Sequence, residues 1–169
     1  MTGTLVSIPV GVVVERRKAA SQWIDFVWQA VGVLPGRPDA VPWTVLSSSD
    51  DRTTFYAGSA DIALHRTETE LYRNNLVSAT PSLWILLRAT DGEPPYRIAA
   101  VTADPAEGEG FTEAGDDLVE AVPMPEAVRE TIAAFVAEHH VERPFVKRKL
   151  DRADPEALAR PAPTEKDDK

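Results

Sequence analysis

The sequence predicts an α+β fold dominated by antiparallel strands, either a barrel or a sandwich, with one inserted helix and an amphipathic helix at the C-terminal end. Two patterns carry that expectation. Apolar residues recur at every second position in several short runs, the mark of strands with one buried face. Turn-forming clusters separate these runs, among them Pro35-Gly36, Ser47-Ser48-Ser49-Asp50-Asp51 and Asp91-Gly92-Glu93-Pro94-Pro95, which reads as hairpin punctuation. A helical period appears clearly only late, in Val128, Ile132, Phe135 and Val136, which recur as one buried stripe.

The elements follow in order. Val6, Ile8, Val10, Val12 and Val14 alternate with Ser7, Pro9, Gly11, Val13 and Glu15, the strongest strand signal in the chain. Pro9 has no backbone donor, so the first half of that strand belongs at a sheet margin. A second strand over 23–34 places Ile24, Phe26, Trp28 and Ala30 on one side, and apolar groups on both sides imply two covered faces. Trp43 to Leu46 and Thr53 to Ala57 form a hairpin, and Ile62 with Leu64 forms a separate short strand ending at His65-Arg66. Thr67 precedes Glu70 by three residues, the capping-box spacing, so a helix of about ten residues begins there, with Leu71 and Asn75 on one face.

Leu83, Ile85 and Leu87 pair with a strand from Tyr96 to Thr102 as a central hairpin. Asp104-Pro105 reads as a helix cap and a first-turn proline. Gly108 and Gly110 each weaken a helix by roughly 1 kcal/mol relative to alanine, so one or two loose turns are expected. Leu118 to Val122 forms the last strand, and Pro125 opens the final helix. Residues 1–141 therefore read as one domain and 142–150 as a basic extension. Residues 151–169, rich in proline, charge and alanine, read as a disordered tail.

Composition narrows function. With no cysteine there is no disulfide, thiolate metal site or cysteine nucleophile. The 27 acidic side chains against 18 basic ones give a formal charge of −9, which opposes binding to nucleic acid. No apolar run reaches the roughly 18 residues of a bilayer span, and no basic segment precedes the first apolar run. A cytoplasmic protein with no membrane partner is expected. The nucleophile elbow, the phosphate-cradling loop and the dinucleotide-binding glycine pattern are all missing, and no cofactor is expected.

The histidines are His65, His139 and His140. The adjacent pair at a helix end diverges by about 100° and reads as cations near the helix C-terminus, not as a metal chelate. Glu68, Glu70 and Glu120 would suit acid–base work only if folding paired two of them. The densest polar group runs from His65 to Asn75. His65, Arg66, Tyr72, Arg73 and Asn75 there could read a carboxylate, a phosphate or a partner backbone; the alternative is a solvated helix with ion pairs. Lys147, Arg148 and Lys149 add a cationic patch suited to an acidic surface.

The order of VGVVVERR, the spaced Trp23 and Trp28 followed by VLPG, LHRTETELYRNNL, PSLWILLR, VEAVPMPEAV and HHVERPFVKRK resembles a bacterial domain-of-unknown-function family. The likeness runs from about Pro9 to Leu150. Genes of that family often lie beside those for molybdenum-dependent formate dehydrogenase and its accessory proteins. The resemblance implies a setting in maturation, assembly or regulation of that oxidoreductase, and it supplies no catalytic residue. Some members are labelled molybdopterin-guanine dinucleotide synthesis proteins, which implies a glycine-rich N-terminal loop; here Gly3 and Gly11 stand isolated.

By element order the fold compares with the pleckstrin-homology-like superfold, a comparison that transfers no ligand. The expected function is a non-enzymatic accessory or binding protein that holds a protein partner, a formate dehydrogenase component being the candidate. The alternatives are an enzyme or carrier of molybdenum-cofactor metabolism, with the polar group touching a pterin phosphate, and a small-ligand sensor. The oligomeric state is not legible.

Overall fold

The computed structural model describes residues 4–111 and 116–140. The expected basic extension and tail lie outside the described residues. The elements are β1 (Thr4–Lys18), β2 (Phe26–Pro35), β3 (Thr44–Ser48), β4 (Arg52–His65), a 3-10 turn (Arg66–Glu68), α1 (Thr69–Leu76), β5 (Ser82–Ala89), β6 (Tyr96–Thr102), α2 (Pro105–Gly110), β7 (Leu118–Pro123) and α3 (Glu126–His139).

The strands form two antiparallel sheets, ordered β2-β1-β4-β3 and β6-β5-β7. Of the two arrangements expected, the barrel does not close among the described residues. The sheets approach each other where β6 nears β4 and β7 nears β2, without a shared ladder. The α+β class, the antiparallel pairing and the C-terminal helix are as the sequence predicts.

The alternation in β1 does what its period implies. Val10, Val12 and Val14 are fully buried, and they join Ala30, Ile62, Leu64, Leu83, Ile85, Leu87 and Val122 in one apolar cluster. Pro9 sits where β1 pairs with β4 alone, since the β2 ladder begins at Val10 opposite Pro35. Gly36 N–H donates to the Pro9 carbonyl at 3.0 Å, so the missing proline donor falls just past the end of β2.

Three local expectations give way to tertiary constraints. The two strands expected at 53–57 and 62–64 are one continuous β4, because Gly58 takes a φ of 130° and the register against β1 shifts between Val12 and Val13. That bulge bends the strand without ending it. The second strand starts at Phe26 and not at Trp23, because Ala19 N–H donates to the Asp25 carbonyl and closes the loop before it. The capping box at Thr67 does not form. Its hydroxyl donates to the Glu68 carboxylate at 3.1 Å, and α1 starts at Thr69 with no side-chain cap.

Helix α2 follows its signals: the Asp104 carboxylate accepts from Ala106 N–H at 2.9 Å and Glu107 N–H at 3.3 Å, with Pro105 next. Gly108, which weakens the helix locally, is required by packing. A Cβ there would stand 2.6 Å from Trp84 Cδ2 and 2.8 Å from Trp84 Cβ, so α2 rests directly on β5. Gly108→Ala should therefore destabilise the fold by about 1–3 kcal/mol, although alanine is the better helix former. Urea denaturation monitored by tryptophan fluorescence checks the sign; a stabilised variant would show that α2 can lift away freely.

Candidate functional site

The first sheet is longer than the second: β1 has 15 residues and β5 has 8. Cross-strand partners share a face, and so do alternate residues along a strand. Val14 is core-facing and stands opposite Ala30 and Phe55. Arg16 opposes Trp28 and Thr53, and Lys18 opposes Phe26, so these residues continue the inner face of the long sheet. At the other end of β4, the 3-10 turn Arg66–Glu68 leads from His65 into α1, and α3 packs on α1. Helices thus cover one end of the long sheet, and aromatic side chains occupy the other.

Those aromatics contact one another. Trp28 stacks on Phe55 at 5.9 Å between centroids and 19° between planes, and Tyr96 of β6 lies 6.1 Å from Trp28. Trp43 stands edge-on to both, 6.1 Å from Trp28 and 5.6 Å from Phe55. It adopts a φ of 72°, a left-handed conformation costly for a bulky residue, and its N–H donates to the Tyr56 carbonyl. The Arg16 guanidinium lies 4.3 Å from the Phe26 centroid, 5.4 Å from Phe55 and 5.8 Å from Trp28. Ring faces, electron-rich at their centres, hold the cation there.

Several large apolar side chains stand exposed in β3 and in the loops that flank β2. Val41 is 72% exposed, Val45 54% and Leu46 49%, and Trp23 in the β1–β2 loop is 85% exposed. Val45 opposes Phe55, so it extends the shelf outward. It belongs to β3, an edge strand whose sequence, TVLSS, contains neither charge nor proline. The usual safeguards against edge pairing are thereby reduced to the strand's shortness and a bulge between Val45 and Ser47.

The polar group from His65 to Asn75 is divided by the fold. His65 lines a groove of about 310 Å³ between β4 and β6, with Ala60, Asp61, Ala63, Thr102 and Glu107. Arg66 and Arg73 are exposed on the surface. Tyr72 and Asn75 are buried and engaged inside the fold: His65 N–H donates to the Tyr72 hydroxyl at 2.9 Å, and Asn75 bonds the backbone of Ser82 and Ala103. Burial pushes the Tyr72 phenol above its ordinary value, and nearby Asp104, Glu68 and Glu107 add to the shift while the His65 hydrogen bond opposes it. Lys147, Arg148 and Lys149 lie outside the described residues.

Of the remaining candidates, His139 packs on the Phe135 ring at 4.6 Å, and His140 Nδ1 lies 3.0 Å from the Thr69 hydroxyl. His140 therefore ties the end of α3 to α1, a role beyond that of a cation at a helix terminus. Glu68 and Glu70 stand at the start of α1 and Glu120 on β7. Among the described residues no group of three His, Asp or Glu is placed to hold a metal ion. The shelf itself escaped the sequence reading as a site. The one signal was Phe26 and Trp28 on the same side of β2, and only the register adds Arg16 and Phe55 to them.

Residues 9–149 match the family described as Protein of unknown function (DUF3305). No curated protein and no solved structure matches the chain.

Proposed function

Because the chain belongs to the DUF3305 family, we propose from that premise a non-enzymatic accessory role, binding a protein partner in the maturation, assembly or regulation of a molybdenum-dependent formate dehydrogenase. The observation that carries the binding role is the aromatic shelf and its exposed rim. Exposed apolar side chains on a strand edge guarded only by its shortness and a bulge favour covering by another chain. Tryptophan, tyrosine, phenylalanine and arginine are also the side chains enriched at the centre of such contacts. The formate dehydrogenase setting rests on the family resemblance drawn from the sequence motifs, and a cytoplasmic location is proposed from the composition, which has no cysteine.

The test is affinity recovery of the full chain from cells that encode it, followed by mass spectrometry. Val45→Asp changes an exposed residue, so melting should stay within about 0.5 kcal/mol of the parent. Recovery of a dehydrogenase subunit or accessory protein should fall about tenfold or more, because the new carboxylate is buried against apolar surface. Undiminished recovery would place the interface elsewhere. Pterin fluorescence co-purifying with the chain, without a protein partner, would favour a carrier of the cofactor.

A further inference from the structure

We infer that Arg16 is an anion receptor at the centre of the shelf, recognising a carboxylate carried on an extended, apolar segment of the partner protein; this rests on the binding role proposed above. The argument begins with the company that arginines keep in this chain. Arg52 and Arg17 share Glu15, at 3.0 and 3.9 Å, on the opposite face of the sheet. Arg37 pairs with Asp61, Arg88 with Asp117 and Arg129 with Glu126. Arg66, Arg73 and Arg97 are exposed to solvent, where water hydrates their charge. Arg16 does neither. It is only partly exposed, it enters no ion pair among the described residues, and its Nε is buried without a hydrogen-bond partner.

Among the described residues such a cation, in a chain of net charge −9, is flanked by ring faces and enters no ion pair. Ring contacts with Phe26, Trp28 and Phe55 supply no lone-pair acceptor to the N–H fork of the guanidinium. That fork matches a carboxylate in two parallel hydrogen bonds, stronger than neutral ones because both partners are charged. Lys18, two residues along the same face, adds positive charge. Val45, opposite Phe55 in the ladder and exposed, suits a carboxylate that arrives on an apolar carrier, and the β3 edge, which no other strand of the described residues pairs, offers main-chain pairing to an extended one. Asp25, Asp50 and Asp51 lie in the loops at this end of the sheet. They would repel a continuous run of phosphates more than a single carboxylate. An acidic and apolar protein segment therefore fits better than a nucleic acid.

Titration of the full chain, followed through tryptophan emission, tests the assignment with two blocked hexapeptides, one alternating glutamate with phenylalanine and one with glutamine in place of glutamate. The glutamate peptide should bind about tenfold or more tightly than the glutamine peptide at low salt, with the preference shrinking at about 0.5 M salt. Arg16→Gln should erase the preference, and Arg66→Gln should keep it. Should Arg16→Gln fail to fold, the two peptides and the salt series on the parent chain decide the matter. Equal binding of the peptides, no binding of either, a preference that survives Arg16→Gln, or displacement of the glutamate peptide by inorganic phosphate at matched ionic strength would each overturn the inference. The partner recovery described above separates the two levels: recovery lost with Val45→Asp but intact with Arg16→Gln keeps the binding role and discards the receptor. Recovery intact in both discards both.

Discussion

Asn75→Ala is expected to lower stability by roughly 3 kcal/mol or more, the combined consequence of several orphaned backbone groups. One amide side chain does the work of three partners. Its Nδ2 donates to the carbonyls of Ser82 and Ala103 at 2.8 and 3.0 Å, and its Oδ1 accepts from Ser82 N–H at 3.0 Å. These bonds join α1 to the first residue of β5 and to the residue just after β6. Alanine would leave one N–H and two carbonyls without those partners, in surroundings where Asn75 and Ala103 are both almost fully covered. An unsatisfied buried group costs about 1–3 kcal/mol, which is why this change should exceed an ordinary surface substitution several-fold. Urea denaturation of the variant measures it. A loss under about 1 kcal/mol would mean that water enters and replaces the amide.

The same residue shows why the polar group around α1 was misleading in sequence. TELYRNNL contains only Leu71, Tyr72 and Leu76 as large apolar residues, too few to fix which face turns inward. The buried stripe proves to be Thr69, Tyr72 and Asn75, so two of the residues that resembled a recognition surface are structural. By contrast, β1 and α3 were legible because each carries four or five apolar residues at a single period, and no alternative rotation or register buries as much. The breaks in legibility are non-local. Whether β4 stops or bends at Gly58 depends on a register shift in β1, about 45 residues earlier in the chain. The shelf draws Arg16, Trp28, Trp43, Phe55 and Tyr96 from five separate segments. Each of these looks like an ordinary strand or turn residue until the strands are aligned.

Phe135→Ala should cost about 3–5 kcal/mol, the usual range for emptying a buried phenylalanine site. Phe135 is 4% exposed, and it meets Tyr72 edge-on at 6.1 Å and His139 at 4.6 Å. Val128, Ile132 and Val136 complete the stripe by which α3 joins the core, so the ring lies where the two helices meet the sheets. The variant has a second, independent signature. Burial is the main reason the Tyr72 phenol titrates above 10, and Phe135 supplies part of that cover. A phenol whose native pKa is raised stabilises the fold fully below its unfolded pKa, and that contribution is lost as pH rises through the native value. Removing the ring admits water, moves the phenol back toward 10 and shrinks the alkaline loss attributable to Tyr72. Ultraviolet titration of the three tyrosines, with Tyr72→Phe to identify the shifted one, reads this directly. A variant of near-parental stability with an unmoved phenol would show that α3 does not seal this end of the sheets. A large loss of stability with the phenol shifted downward is the outcome that the packing of Tyr72 between α3 and β4 requires.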